Sequence, residues 1–203
     1  MMIKSAYWVV ATLAILAAAP VLADDTIRLE KMVDRLCSAC HGQDGNSIST
    51  NFPKLAGLSA KYTEEQLRSF RDRTRADKDA VDAMWGWARS LTDQDIKEIA
   101  AYYAAQKRAP GDPGPEQLMN KGRDIYEHGM SDKGLPACAL CHGPQGEGKE
   151  DAPRLAGQHA RYLTRQLKVF RSTERPAAVA MHAIVTPLTD GDIDSLAVYL
   201  QSK

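Results

Sequence analysis

One five-residue motif occurs twice in this chain, as Cys37-Ser38-Ala39-Cys40-His41 and as Cys138-Ala139-Leu140-Cys141-His142. The two copies use every cysteine present. Two thiols three residues apart share one face of a helical turn, and the histidine that follows the second lies beside them. C-x-x-C-H is the attachment signature of a c-type haem. Each thiol adds S–H across one vinyl group to form a thioether, and the adjacent imidazole is placed to bind the iron. A ring clamped from one side needs its second axial ligand from elsewhere in the chain.

Two other chemistries use C-x-x-C. A thioredoxin-like redox pair follows a strand in a βαβ pattern, and no strand alternation of useful length runs through this sequence. A structural zinc site gathers four ligands tetrahedrally. Here the pairs stand about a hundred residues apart, in separate copies of a repeat.

The duplication extends well beyond the motifs. His41-Gly42-Gln43-Asp44-Gly45 matches His142-Gly143-Pro144-Gln145-Gly146, and Pro53-Lys54-Leu55-Ala56-Gly57 matches Pro153-Arg154-Leu155-Ala156-Gly157. Tyr62, Gln66, Leu67, Phe70 and Arg71 match Tyr162, Gln166, Leu167, Phe170 and Arg171. Met84 matches Met181, and each precedes a Leu-Thr-Asp that begins seven residues later. Such a period outranks local propensity. Between the copies, Pro110-Gly111-Asp112-Pro113-Gly114-Pro115 cannot continue a helix. The expected division is 24–109, a linker at 110–115, and 116–203.

Each repeat reads as all-α. Leu29, Met32, Val33 and Leu36 recur at helical spacing and lead into Cys37. Leu118, Gly122 and Ile125 play that part in the second repeat, with Gly122 permitting close approach of another helix. Middle helices are expected over 63–71 and 161–171. Thr92 with Asp95, and Thr189 with Asp192, predict reciprocal caps at the start of a last helix in each repeat. A domain of about 85 residues has a thin core, which a covalently held haem would thicken.

The second ligand follows by elimination. Outside the motifs the histidines are His128, His159 and His182, all in the second half. In the first repeat Met32 lies on the helix entering Cys37, on the proximal side, which leaves Met84. Met181 occupies the matching position, with His182 beside it as the rival. A lone methionine is more often core filler, but the repeat favours His41 with Met84 and His142 with Met181. His/Met ligation raises the reduction potential and fills both axial positions. What remains is movement of one electron per haem.

Around these ligands, a backbone carbonyl at Pro53 or Pro153 would accept the Nδ1–H of His41 or His142 and fix its tautomer. Gly42, Gly45, Gly143 and Gly146 are expected to let the backbone pass close to the haem edge. Tyr62, Tyr162, Gln66 and Gln166 are candidate propionate partners. The basic runs Arg68, Arg71, Arg73, Arg75 and Arg161, Arg165, Lys168, Arg171 read as solvated helix faces. Trp85 and Trp87 have no counterparts after Met181, so the two pockets should differ.

The first 23 residues read as a cleaved export signal: Lys4, an apolar run from Ala6 to Ala19, and Val21-Leu22-Ala23 before Asp24. Removing them deletes only Lys4 among the charges, leaving 25 basic against 26 acidic side chains. That balance gives no basic excess to argue for nucleic acid.

Taken together, C-x-x-C-H-G, P-x-L-A-G, Y-x-x-x-Q-L-x-x-F-R, Met and L-T-D, duplicated across a Pro-rich linker, resemble the dihaem cytochrome c4 family. The resemblance covers almost all of 24–203. It implies two tandem class I cytochrome c domains related by a pseudo-twofold axis, with haem propionate edges together. It implies haem thioethers at Cys37, Cys40, Cys138 and Cys141, and iron ligands at His41, Met84, His142 and Met181. It also implies a monomeric, non-enzymatic periplasmic carrier with peripheral membrane association. Such a carrier takes single electrons from a quinol-oxidising complex toward a terminal oxidase or reductase. Two alternatives are a dihaem cytochrome c peroxidase, which needs an iron able to open a coordination position, and a cytochrome subunit of a periplasmic dehydrogenase.

Overall fold

Thr92 and Asp95 each satisfy the other's backbone. Asp95 N donates to Thr92 Oγ1 at 3.1 Å, and Thr92 N donates to Asp95 Oδ2 at 2.9 Å. Thr189 and Asp192 repeat the arrangement at 3.2 and 3.0 Å. These capping boxes open the last helix of each repeat where the sequence places them. The computed structural model describes residues 19–149 and 152–203, so most of the expected export signal lies outside the described residues.

The first repeat contains α1 (Ala19–Leu36), α2 (Ser38–His41), α3 (Ala60–Arg71), α4 (Trp85–Ala88) and α5 (Asp93–Ala104). The second contains α6 (Glu116–His128), α7 (Ala139–His142), α8 (Ala160–Val169), α9 (Val179–Val185) and α10 (Asp190–Gln201). No strand occurs among the described residues, only the isolated bridges Met130–Leu135 and Lys149–Ala152. Between Ala104 and Glu116 the chain carries no helix, and Asp112 N donates to Gln201 O at 3.1 Å.

Each repeat has its own apolar core. Val33, Phe70, Ile96, Ile99 and Tyr103 form the first, with Leu29, Met32 and Leu36 packed against it, as the spacing along α1 predicts. Ile125, Tyr126, Val185, Ile193, Leu196 and Tyr199 form the second. There α6 lies on α10, and Gly122 faces the carbonyl of Ser195 so closely that a Cβ would collide with it. A methyl group would push the two helices apart.

The repeats meet through polar side chains, one of which was expected to face solvent. Arg75 is buried, contrary to the expectation of an exposed basic face, because the segment after α3 lies against the second repeat, where Ala76 N donates to Glu174 O at 2.7 Å. Its guanidinium donates to Gln66 Oε1 at 2.9 Å and to Gln166 Oε1 at 3.0 Å. Arg175 donates to the same two oxygens, at 2.9 Å to Gln66 and 2.7 Å to Gln166. The four side chains close a ring that has the pseudo-twofold symmetry of the duplication. Phe70 and Phe170 lie under the two guanidinium groups at 4.7 and 4.6 Å.

Away from that ring the junction is held mainly by side chains of the second repeat on the backbone of the first. Gln158 clasps the backbone of Lys54, accepting from its N–H at 2.8 Å and donating to its carbonyl at 2.9 Å. The His159 ring nitrogen Nε2 is 2.8 Å from Ser47 O, and Arg165 donates to Asn51 O at 2.8 Å. In the other direction Arg108 donates to Lys203 O at 2.7 Å, alongside the Ala76–Glu174 backbone bond.

Candidate haem sites

The motif turns are single helical turns. His41 N donates to Cys37 O at 2.9 Å and Gly42 N to Ser38 O at 2.8 Å; His142 N donates to Cys138 O and Gly143 N to Ala139 O, both at 3.0 Å. This hydrogen bonding places both cysteines of a pair and their histidine on adjoining positions of one turn. None of the four cysteines is paired in a disulfide. Burial pushes the Cys37 and Cys138 thiols up to about 11.

His41 Nδ1 lies 2.8 Å from Pro53 O, and His142 Nδ1 lies 2.9 Å from Pro153 O. The expected carbonyl acceptors are therefore in place in both repeats. A carbonyl can only accept, so Nδ1 carries the proton and the Nε2 lone pair is left to bind a metal. Burial lowers the pKa of both imidazoles, which favours the neutral ligating form.

Cys37, Cys40, His41 and Met84 line one cavity of about 410 Å³ in the first repeat. Met84 reaches it at the end of a single π-helical turn, Ala80–Met84, that runs directly into α4. Such wide turns recur at functional positions. Trp85 fixes the segment by donating from Nε1 to Arg75 O at 2.8 Å, whereas Trp87 borders the cavity and is half exposed. In the second repeat α9 carries Met181, which packs with Cys138, Leu155 and Phe170 against one core. The two methionines thus arrive on different backbones, consistent with the expected difference between pockets. His182 is turned aside: its Nε2 is 3.0 Å from Arg175 O and its ring meets Phe170 edge-on.

The first cavity suits a flat apolar ring with carboxylate tails. Leu36, Phe52, Leu67 and Phe70 give it apolar walls. Thr63 Oγ1, Arg154 Nε and Arg165 Nε also line it, and these buried polar atoms have no hydrogen-bond partner within the protein. Two orphaned guanidinium nitrogens are the donors a propionate would use. Imidazole nitrogen and thioether sulfur are donors suited to haem iron. By contrast, no group of three or more His, Cys, Asp or Glu among the described residues is placed to hold a simple metal ion.

The cytochrome c family profile matches this chain twice, over residues 30–106 and 119–203. The cytochrome c4 of Azotobacter vinelandii is 39% identical over 176 residues, covering 82% of this chain and 83% of that protein. This chain belongs to the dihaem cytochrome c4 family. A solved cytochrome c4 structure from Acidithiobacillus ferrooxidans superposes with a TM-score of 0.79 at 32% identity, covering 84% of this chain and all of that one. A further relative, named a thiosulfate dehydrogenase electron acceptor, from Thiomonas intermedia, is 34% identical over 175 residues, covering 82% of this chain and 78% of that protein. As a cytochrome c4, the protein binds two covalent haem c groups and transfers electrons with redox partners. It is not an enzyme. Its relatives are c-type cytochromes, which are typically exported, and no helix among the described residues is long and apolar enough to cross a membrane.

Arg154, Gln158, His159 and Asp77 carry no motif that marks them as site or junction residues. The signal that does mark three of them is a break in the duplication: Gln158 and His159 stand where the first repeat has Leu58 and Ser59, and Asp77 lies in a stretch that is three residues shorter and free of acids in the second repeat.

Proposed function

We propose that this cytochrome c4 is a periplasmic carrier built from domains 24–109 and 116–203. In this reading Cys37 and Cys40 hold the first haem through thioethers, and Cys138 and Cys141 hold the second. His41 with Met84, and His142 with Met181, supply the axial ligands. The observation that carries the assignment is that Cys37, Cys40, His41 and Met84 share one cavity while Pro53 fixes the tautomer of His41.

A bound haem supplies a one-electron Fe(III)/Fe(II) couple. The protein's own part is to hold that couple still. Pro53 and Pro153 orient the imidazoles, Met84 and Met181 would offer their sulfurs to the iron, and Phe52, Leu67 and Phe70 would keep water off the ring. Iron held by both an imidazole and a thioether would exchange single electrons and offer no position to a substrate. The ring of Arg75, Arg175, Gln66 and Gln166 locks the domains together, so that an electron accepted by one can pass to the other.

The donor is a quinol-oxidising complex and the acceptor a terminal oxidase or reductase, reached after cleavage of residues 1–23. A second reading is favoured by the Thiomonas relative: the donor would be a periplasmic dehydrogenase that delivers electrons directly. Mixing the oxidised holoprotein in turn with a reduced quinol-oxidising complex and with thiosulfate plus its dehydrogenase separates the two. Prompt reduction only by the dehydrogenase would replace the first reading with the second. A pyridine haemochrome count of two thioether-linked haems per chain, together with the Met–Fe(III) charge-transfer band, tests the ligand assignment itself.

A further inference from the structure

The ring at the domain junction is symmetric except for one residue. Asp77 is 1% exposed, and its carboxylate lies 2.6 Å from Arg75 Nε and 3.4 Å from Gln166 Nε2. Between Arg175 and Met181 the second repeat is three residues shorter and carries no acidic residue, so Arg175 has no corresponding carboxylate. The junction therefore encloses two buried guanidinium groups and a single off-axis negative charge.

That charge belongs to the first repeat's side. Asp77 O accepts from Val81 N at 3.0 Å, at the start of the wide turn that ends in Met84, and Arg75 and Gln66 both line the first cavity. Toward the second repeat it makes a long bond to Gln166 and a through-space attraction to Arg175, weaker than its direct ion pair with Arg75. We propose that Asp77 sets the two haem potentials apart, its buried carboxylate stabilising the oxidised iron of the first repeat more than that of the second. The inference rests on the two-haem ligand assignment above. A buried charge acts through a medium far less screening than water, so it is felt across a domain junction where a surface charge would not be. Arg75 keeps this carboxylate ionised: burial would raise its pKa, but the guanidinium holds it below the ordinary value.

The test is a potentiometric titration of the holoprotein, with each haem followed through its own axial-methionine methyl resonance by NMR. Asp77→Asn keeps the size and hydrogen-bonding reach of the side chain while removing the charge. At a fixed poise it should raise the reduced-to-oxidised ratio of the first haem by about threefold or more, which is roughly 28 mV for one electron at 59 mV per tenfold. The second haem should move less. Asp77→Glu keeps the charge and should return both potentials to near wild type. Unchanged potentials in Asp77→Asn, equal shifts at the two haems, or like shifts in the Asn and Glu variants would overturn the proposal. If Asp77→Asn fails to retain both haems, Asp77→Ser removes the same charge with a smaller side chain. It should again raise the first potential more than the second, and unchanged potentials or equal shifts overturn the proposal. A wild-type haem count other than two, or axial-methionine methyls that are absent, would sink the ligand assignment first and this inference with it.

Discussion

The guanidinium of Arg154, in the second repeat, donates to the carbonyl of Ala56, in the first, across 2.6 Å of a junction where both residues are buried. Its other terminal nitrogen donates to Ala156 O, so one side chain ties the matching alanines of the two copies together. Charge-assisted bonds of this kind contribute about 1.5–3 kcal/mol. Arg154→Met should therefore destabilise the holoprotein by about 2 kcal/mol. Arg154→Lys should not rescue it, because an ammonium cannot span two carbonyls as a planar fork does. Guanidinium chloride unfolding of the three proteins checks this. A lysine variant as stable as wild type would show that the fork geometry is irrelevant.

Met84 and Met181 should be separable by ligand binding. Met84→Ala should halve the Met–Fe(III) charge-transfer band, lower one midpoint potential and admit carbon monoxide or cyanide to one haem of the two. Met181→Ala should do the same at the other. His182→Ala should leave the band whole, because that imidazole is engaged with the Arg175 carbonyl rather than with the second pocket. A band left unchanged in Met181→Ala, with carbon monoxide binding gained in the His182 variant, would transfer the ligand role to histidine.

What could be read without coordinates was what the chain encodes locally. The capping boxes at Thr92 and Thr189, the carbonyls twelve and eleven residues beyond the motif histidines, and the buried face of α1 all depend on neighbours within a few turns. The junction was another matter. Arg75 looks like one more solvated cation after α3, and only its bond to Gln166, 91 residues away, shows otherwise. Gln66 and Gln166, expected as propionate partners, present their amide oxygens to the two arginines, a pairing across the junction that no local pattern marks. Periodicity finds faces within a repeat. It carries no information about which face of one repeat meets the other, and here the useful trace was the set of positions where the duplication fails.

Two glycines should respond to a methyl group in opposite directions. Gly45 has φ +73°, its carbonyl accepts from Leu55 N and Ala56 N at 2.7 and 3.1 Å, and an added Cβ would lie 2.7 Å from both Ala56 N and Tyr103 Cδ1. Gly45→Ala should cost about 3 kcal/mol through strain and displaced backbone together. Gly86 lies inside α4, and a Cβ there would meet nothing within 4 Å. Gly86→Ala should add about 0.5–1 kcal/mol by lowering the entropy of the unfolded chain. Thermal melts of the two holoprotein variants check both signs.

Asp192 should give the protein part of its acid sensitivity. Its side chain is 4% exposed and accepts from Lys121 at 2.8 Å and Lys133 at 3.3 Å, as well as from Thr189 N. Burial alone would raise its pKa, but Lys121, the Thr189 cap and Lys133 hold it well below the usual carboxylate range. The folded protein thus binds this proton less readily than the unfolded chain, whose aspartates titrate at about 3.9. The contribution to stability is complete above that value and drains away as the pH falls toward the lower folded pKa. Asp192→Asn should cost about 2 kcal/mol at pH 7. It should also flatten the loss of stability below about pH 4, because the side chain no longer titrates. Denaturant unfolding across that range checks both, and parallel curves for wild type and variant would show that the acid sensitivity lies elsewhere.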